Sequence, residues 1–209
     1  MGIKSRGFKA ARNAAVAGAA VLGLVFGAGT AGAEVNDQNR IVSDGLEVVV
    51  TQEDTQINGV PALGGSPFNR EFFHNGRGTV NLIGDGAADA EGTTFQFGYQ
   101  FAWAASINGA IGVTYSTPGL GIDFKNDTTV KVADILPQAY VELELTPAPG
   151  IEELIVTEQD FKGDFKTVQF ANVHGTASGV IGAVQVRPFV RAITANGDNV
   201  TTYGAPWTV

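Results

Sequence analysis

The chain has 209 residues, with 13 Lys and Arg against 21 Asp and Glu, a formal net charge of −8, and no cysteine. Without cysteine there is no disulfide framework and no thiolate metal site. The acidic balance disfavours nucleic acid and anionic lipid surfaces as partners, and with no disulfide available packing or oligomerisation must hold the protein together.

Residues 1–33 read as an export signal. Lys4, Arg6, Lys9 and Arg12 precede an apolar run, "AAVAGAAVLGLVFGAG", and Ala31 and Ala33 form the small-residue pattern of a signal peptidase site. The run is short and rich in Ala and Gly, which argues against a membrane anchor. Removing it takes four basic and no acidic residues, leaving nine against 21 and a net of −12. The remainder is long enough for one domain, or one domain plus an excursion. No later run has the ~18–20 apolar residues of a membrane helix, a criterion blind to β-barrels, whose alternating signal averages out.

In chain order, "GLEVVVTQED", "RGTVNLIG", "EGTTFQFGYQFAW", "EELIVTEQDF", "FKTVQFANVHG" and "GAVQVRPFVRAIT" predict strands. Each is rich in β-branched and aromatic residues and bounded by Gly, Asn, Asp or Pro. "PFNREFFHNG" is the one candidate for a helical turn. The spacing suggests an antiparallel sandwich or barrel. The alternate aromatics of "FQFGYQFAW" suit either the core of such a body or an aromatic girdle at a membrane boundary.

The middle of the chain follows a different rule. Ile107, Ile111, Val113 and Tyr115 are apolar on odd positions, while Asn108, Ala110, Gly112, Thr114 and Ser116 between them are small or polar. Beyond Pro118 the apolar set moves to Leu120, Ile122 and Phe124. A turn, "KNDT", follows. On the return, Val130 and Val132 precede Pro137, and then Ala139, Val141, Leu143 and Leu145 alternate with Gln138, Tyr140, Glu142 and Glu144. A change of parity needs a bulge or kink, and proline in a sheet is confined to such places or to edges. Pro118 and Pro137 therefore mark kinks in the two arms of one hairpin. Trp103 to Asp123 is 21 residues, roughly 70 Å of strand at ~3.4 Å each, or about 50 Å of height at a tilt of ~40°.

This pattern has two readings. In a soluble sandwich the apolar face packs into the core. In a membrane the apolar face meets lipid and the small polar face lines water. An isolated two-stranded hairpin is unstable in water and leaves unpaired edges in lipid, so the second reading requires several chains to pool their hairpins.

Other constellations carry less. His74 and His174 are the only histidines, and with no cysteine and no G-x-S-x-G elbow they suit structural or surface roles. Asp85, Asp89 and Glu91 in "DGAADAE" lack a full calcium-loop pattern and read as a solvated turn. Arg187 and Arg191 are expected to pair with acids.

Several blocks in order resemble the MspA family of mycobacterial outer-membrane porins: "REFFHNGR", "EGTTFQFGYQFAW", "GVTYSTP", "NVHGTASG", "RPFVRAI" and "GDNVTTYGAPW". The similarity covers nearly all of residues 40–207. It implies an all-β, goblet-shaped homo-octamer with a β-sandwich-like rim domain (residues 34–102 and 146–209). Each subunit would add one stem hairpin (103–145) to a 16-stranded barrel in the mycolate layer. A mixed oligomer with a paralogous subunit is compatible with the same sequence. The implied function is a passive, water-filled channel for small hydrophilic solutes and ions, without catalysis, cofactor or metal. In the family, acidic residues after the "TP" motif set the constriction. Here Asp123 takes the first acidic position, Phe124 departs from the second, and Lys125 and Asp127 follow. Asp123, Asp127 and Asp134 against Lys125 and Lys131 leave −1 per subunit, which implies moderate cation selectivity. The lumen is expected to be lined by Glu142, Glu144, Lys131, Asn108 and Thr114. A secreted pore-forming toxin using the same hairpin and a soluble β-sandwich binding module are the rival classes.

Overall fold

A computed structural model describes residues 33–116 and 138–209, with the side chains of Tyr115, Ser116, Gln138 and Ala139 outside the description. Nine strands carry the described chain: β1 (Val35–Ser43), β2 (Leu46–Val60), β3 (Arg70–Ile83), β4 (Thr93–Ser116), β5 (Gln138–Glu144), β6 (Gly150–Phe161), β7 (Phe165–Ile193), β8 (Asn199–Tyr203) and β9 (Trp207–Thr208). All pairings are antiparallel, and they run β1-β2-β3-β7-β4-β5, with β6 on β4 and both β8 and β9 on β7. The expected all-β class is observed.

Two long strands fold this sheet back on itself. The first half of β7 pairs with β3, and its second half pairs with the first half of β4. The β4–β7 register shifts between Trp103 and Ala105 and again between Ser106 and Ala110. Asn108 (φ 46°), Gly179 (φ 64°) and Gly182 (φ 88°) adopt left-handed backbone at this level. At the bend the backbones nearly touch, since a Cβ on Gly109 would lie 2.2 Å from the Ser178 carbonyl oxygen. Glycine is required there because any side chain would separate the strands.

Period-two alternation then fills the space between the layers. From β3, Phe72, His74, Val80 and Leu82 are buried; from β4, Phe95, Phe97, Tyr99, Phe101 and Trp103; from β7, Val173, Val184, Val186 and Val190. Phe72 meets Tyr99 edge-on at 5.6 Å between ring centroids, and the His74 ring stacks on Phe97 at 5.7 Å. The aromatics of residues 95–103 are thus body core, and the girdle alternative is excluded by their burial. Along one margin the layers are stitched by polar bonds. Gln52 Nε2 donates to the Thr202 carbonyl at 3.0 Å, Asn39 Nδ2 to the Thr201 carbonyl at 2.8 Å, and the Thr202 hydroxyl to Asp37.

Three local expectations are corrected. "PFNREFFHNG" is strand from Arg70 onward, because Phe72 and His74 alternate into the core; the short helical turn is 3-10, at Ala87–Asp89. "FKTVQFANVHG" and "GAVQVRPFVRAIT" are one 29-residue strand, since the glycines between them bend β7 without ending it. Ile107 does not continue the apolar face of Ile111 and Val113. The bulge between Ser106 and Ala110 turns Ile107 outward, 57% exposed, while the other two are fully buried.

Candidate permeation surface

The hairpin predicted from alternation is present at its base. The end of β4 pairs with β5 in the register Ala110↔Glu144, Gly112↔Glu142, Thr114↔Tyr140 and Ser116↔Gln138. Residues directly opposite in an antiparallel pair share a face, so Ala110, Gly112, Thr114, Tyr140, Glu142 and Glu144 form one polar or small face. The return of the chain is clamped beneath it. Trp103 Nε1 donates to the carbonyls of Thr146 (3.1 Å) and Ala148 (3.0 Å), Ser106 Oγ to Thr146 (3.0 Å), and the Leu145 amide to the Gly109 carbonyl (2.8 Å).

Glu142 and Glu144 are exposed, as their assignment to a wet face requires, and Thr114 is half-buried beside them. Alternation assigned Asn108 to the same face. The structure places it, exposed, on the bulge at positive φ, where alternation no longer sets its direction. Asp123, Lys125, Asp127, Lys131 and Asp134 lie outside the described residues, as do the kink positions Pro118 and Pro137.

Tyr140 was not singled out from the sequence, although it sits between Gln138 and Glu142 on the polar parity. Its ring lies across Gly112, where a Cβ would come 2.7 Å from the Tyr140 hydroxyl, and that hydroxyl donates to Glu142 Oε2 at 2.5 Å. It is 60% exposed. Gly112 provides the space for the ring, and the ring in turn orients a carboxylate.

The opposite face departs from the membrane reading over this stretch. Ile111 and Val113 are fully buried in the body core, with Val141 and Leu143 packed against it. The other edge of β4 here is occupied by β7, from Ala110↔Ser178 to Thr114↔His174. Up to Thr114 the apolar side chains face protein rather than lipid, because the second layer of the sandwich lies under them.

Elsewhere the polar residues hold the body together. Arg191 pairs with Glu153 at 2.8 Å, and Tyr203 donates to the other Glu153 oxygen at 2.6 Å. Burial opposes ionisation of Glu153, but the bonds from Tyr203 and Arg191 and the charges of Arg191 and Arg187 hold its carboxyl below the usual range. Arg187 donates to Gln100 (2.9 Å) and lies over the Tyr203 ring at 4.5 Å, so of the two arginines only Arg191 forms the expected ion pair. Replacing Glu153 with Gln leaves Arg191 half-buried without its counter-charge, and should cost about 1–3 kcal/mol. Thermal unfolding of the variant beside the parent checks this. "DGAADAE" is the expected solvated turn, with Glu91 joined to Lys162 at 2.7 Å between exposed side chains. Among the described residues, no group of three or more His, Asp or Glu side chains is placed to hold a metal.

No helix among the described residues is long and apolar enough to cross a membrane. That criterion does not reach proteins that cross by strands, a class with which an all-β body and a paired hairpin are consistent. The chain belongs to the MspA family, whose model matches residues 44–208. It is 37% identical to Porin MspC of Mycolicibacterium smegmatis over 198 residues, covering 90% of this chain and 91% of that protein. Porin MspD of the same organism is 37% identical over 181 residues (83% and 87%), and Porin MspA is 36% identical over 198 (90% and 93%).

Proposed function

We propose that the protein is a porin of the outer membrane of a mycolate-bearing actinobacterium. It would act as a passive, water-filled channel for small hydrophilic solutes and ions, with moderate cation selectivity. The observation that carries this reading is the similarity, over 83–90% of the chain, to four proteins named porins, on a chain whose hairpin base exposes Glu142 and Glu144. Residues 1–33 direct export. Residues 34–102 and 146–209 form the rim, and 103–145 the stem, with the base of the stem embedded in the sheet of the body.

One hairpin cannot close a barrel, so the working unit is an oligomer. Eight copies would supply 16 strands, and barrels of 16–18 strands enclose an aqueous channel. Carboxylates along such a wall raise the local cation concentration and repel anions. That is the role assigned to Glu142, Glu144 and, at the constriction, Asp123 and Asp127, with Lys125 and Lys131 offsetting part of the charge.

Planar lipid bilayer recordings of oligomers extracted from native envelopes test the reading. Stepwise currents from heat- and detergent-resistant oligomers are expected. No current steps would leave a soluble binding module, and a monomer that inserts only into foreign membranes would point to a toxin. In the same recordings, Asp123→Asn should lower the cation-to-anion permeability ratio; an unchanged ratio would remove Asp123 from the constriction.

A further inference from the structure

Resting on the porin reading, we infer that the water-facing wall of each subunit is four strands wide where the hairpin joins the body, and that Glu71 and His174 belong to it, Glu71 adding a carboxylate to the channel wall.

The register carries this. Two rows run straight across β3, β7, β4 and β5. One is Glu71↔Thr176↔Gly112↔Glu142, and the other is Phe73↔His174↔Thr114↔Tyr140. In a continuous antiparallel sheet, residues in one such row point to one side. If Glu142 faces the channel, Glu71 and His174 face it as well. Side-chain contacts agree independently of the register. The Phe73 and His174 rings stack at 4.8 Å between centroids, with planes 14° apart. The residues that alternate with these rows, Phe72, Val173, Ile111 and Val113, are buried on the core side. Three strand spacings separate Glu71 from Glu142, about 14 Å, so both rows lie on one local stretch of wall.

The new members of the wall are held in place. Glu71 Oε1 accepts from the Leu63 amide at 2.9 Å, and its other oxygen lies 3.4 Å from His174 Nε2. Glu71 and Phe73 of β3 contact His174, while Thr114 on β4 and Tyr140 on β5 continue its row across the sheet, with Glu142 bonded to Tyr140. A cation at position 174 would offset the charge of Glu71, and an uncharged side chain there would leave it, because the two lie within ion-pair distance.

Reversal potentials in a KCl gradient, read from single channels at one fixed pH, provide the test. His174→Lys and Glu71→Gln should each lower the cation-to-anion permeability ratio below the parent's. Because the chain has no cysteine, a charged thiol reagent on Thr176→Cys should lower the current step of open channels. Channels in which His174→Lys and Glu71→Gln both keep the parent's ratio, and in which modified Thr176→Cys keeps its full current, would overturn the inference while leaving the porin reading intact. A parent protein that forms no channels would overturn both.

Discussion

Gly98→Ala should destabilise the body by at least about 3 kcal/mol, the upper range for overpacking a filled site. For a chain of this size that is a fall of about 6–12 °C in thermal midpoint. Gly98 lies on β4 between β6 and β7, on the face away from the main core. A Cβ there would stand 2.3 Å from the Leu154 carbonyl oxygen and 2.7 Å from the Phe189 ring. Neither neighbour can give way cheaply. Leu154 is backbone on β6, at the point where the β4–β6 register already shifts between Phe97 and Gly98. Phe189 is fully buried under Arg191, whose guanidinium sits 4.9 Å from its centroid, and beside Tyr203 at 6.0 Å. Relieving the clash would pull β6 off β4 or break the Glu153–Arg191–Tyr203 cluster. Gly64→Ala is the control, since a Cβ at Gly64 meets nothing within 4 Å. Its midpoint should stay with the parent's. Equal midpoints for all three proteins would refute the packing argument.

Acid should weaken the body through His74. Burial lowers its pKa from 6.5 to about 3. Its Nδ1 is 2.8 Å from the Tyr99 hydroxyl, and its ring lies among Phe97, Tyr99 and Phe170. The unfolded chain takes up this proton as pH falls through 6.5, whereas the folded one resists until about pH 3. Between those values the unfolded state binds more protons, so stability rises with pH in that window. The contribution is complete above pH 6.5 and is lost as pH falls, by about 1.4 kcal/mol per unit. Thermal midpoints measured from pH 7.5 to 3.5 should show this slope. In His74→Phe the slope should flatten over the same range, whatever its effect at neutral pH. A parent and variant with parallel profiles would mean that His74 is not the group being charged.

The strands of the body were legible because each is bounded by turn residues and alternates with period two. That signal is local, and it found β2, β3, β4, β6 and both halves of β7. It missed β1, β8 and β9, which are short or carry few apolar alternates, as in "VNDQNR", and give the core little beyond Val200, with Ile41 and Trp207 packed at its edge. It misread "PFNREFFHNG" because His74 looks polar in a sequence, while in the fold a Tyr99 partner and stacked rings make it a core residue. The acidic face of the hairpin was equally legible, since Glu142 and Glu144 keep their parity through β5. The wall beyond the hairpin was not. Glu71, His174 and Glu142 are far apart in sequence, and only strand pairing brings them into neighbouring rows.

The sequence by itself determined the all-β class, the family and the base of the hairpin with the exposed parity of Glu142 and Glu144, because alternation and ordered motifs are properties of short stretches. Tertiary structure alone decided what lies behind that hairpin. Ile111 and Val113 alternate as a lipid-facing strand would, yet they are buried, because β7 bends at Gly179 and Gly182 and brings its own sheet against β4. Periodicity reports that one face of a strand is apolar. Whether that face meets lipid or protein depends on which distant segment packs over it, and a single strand's pattern carries no record of that partner.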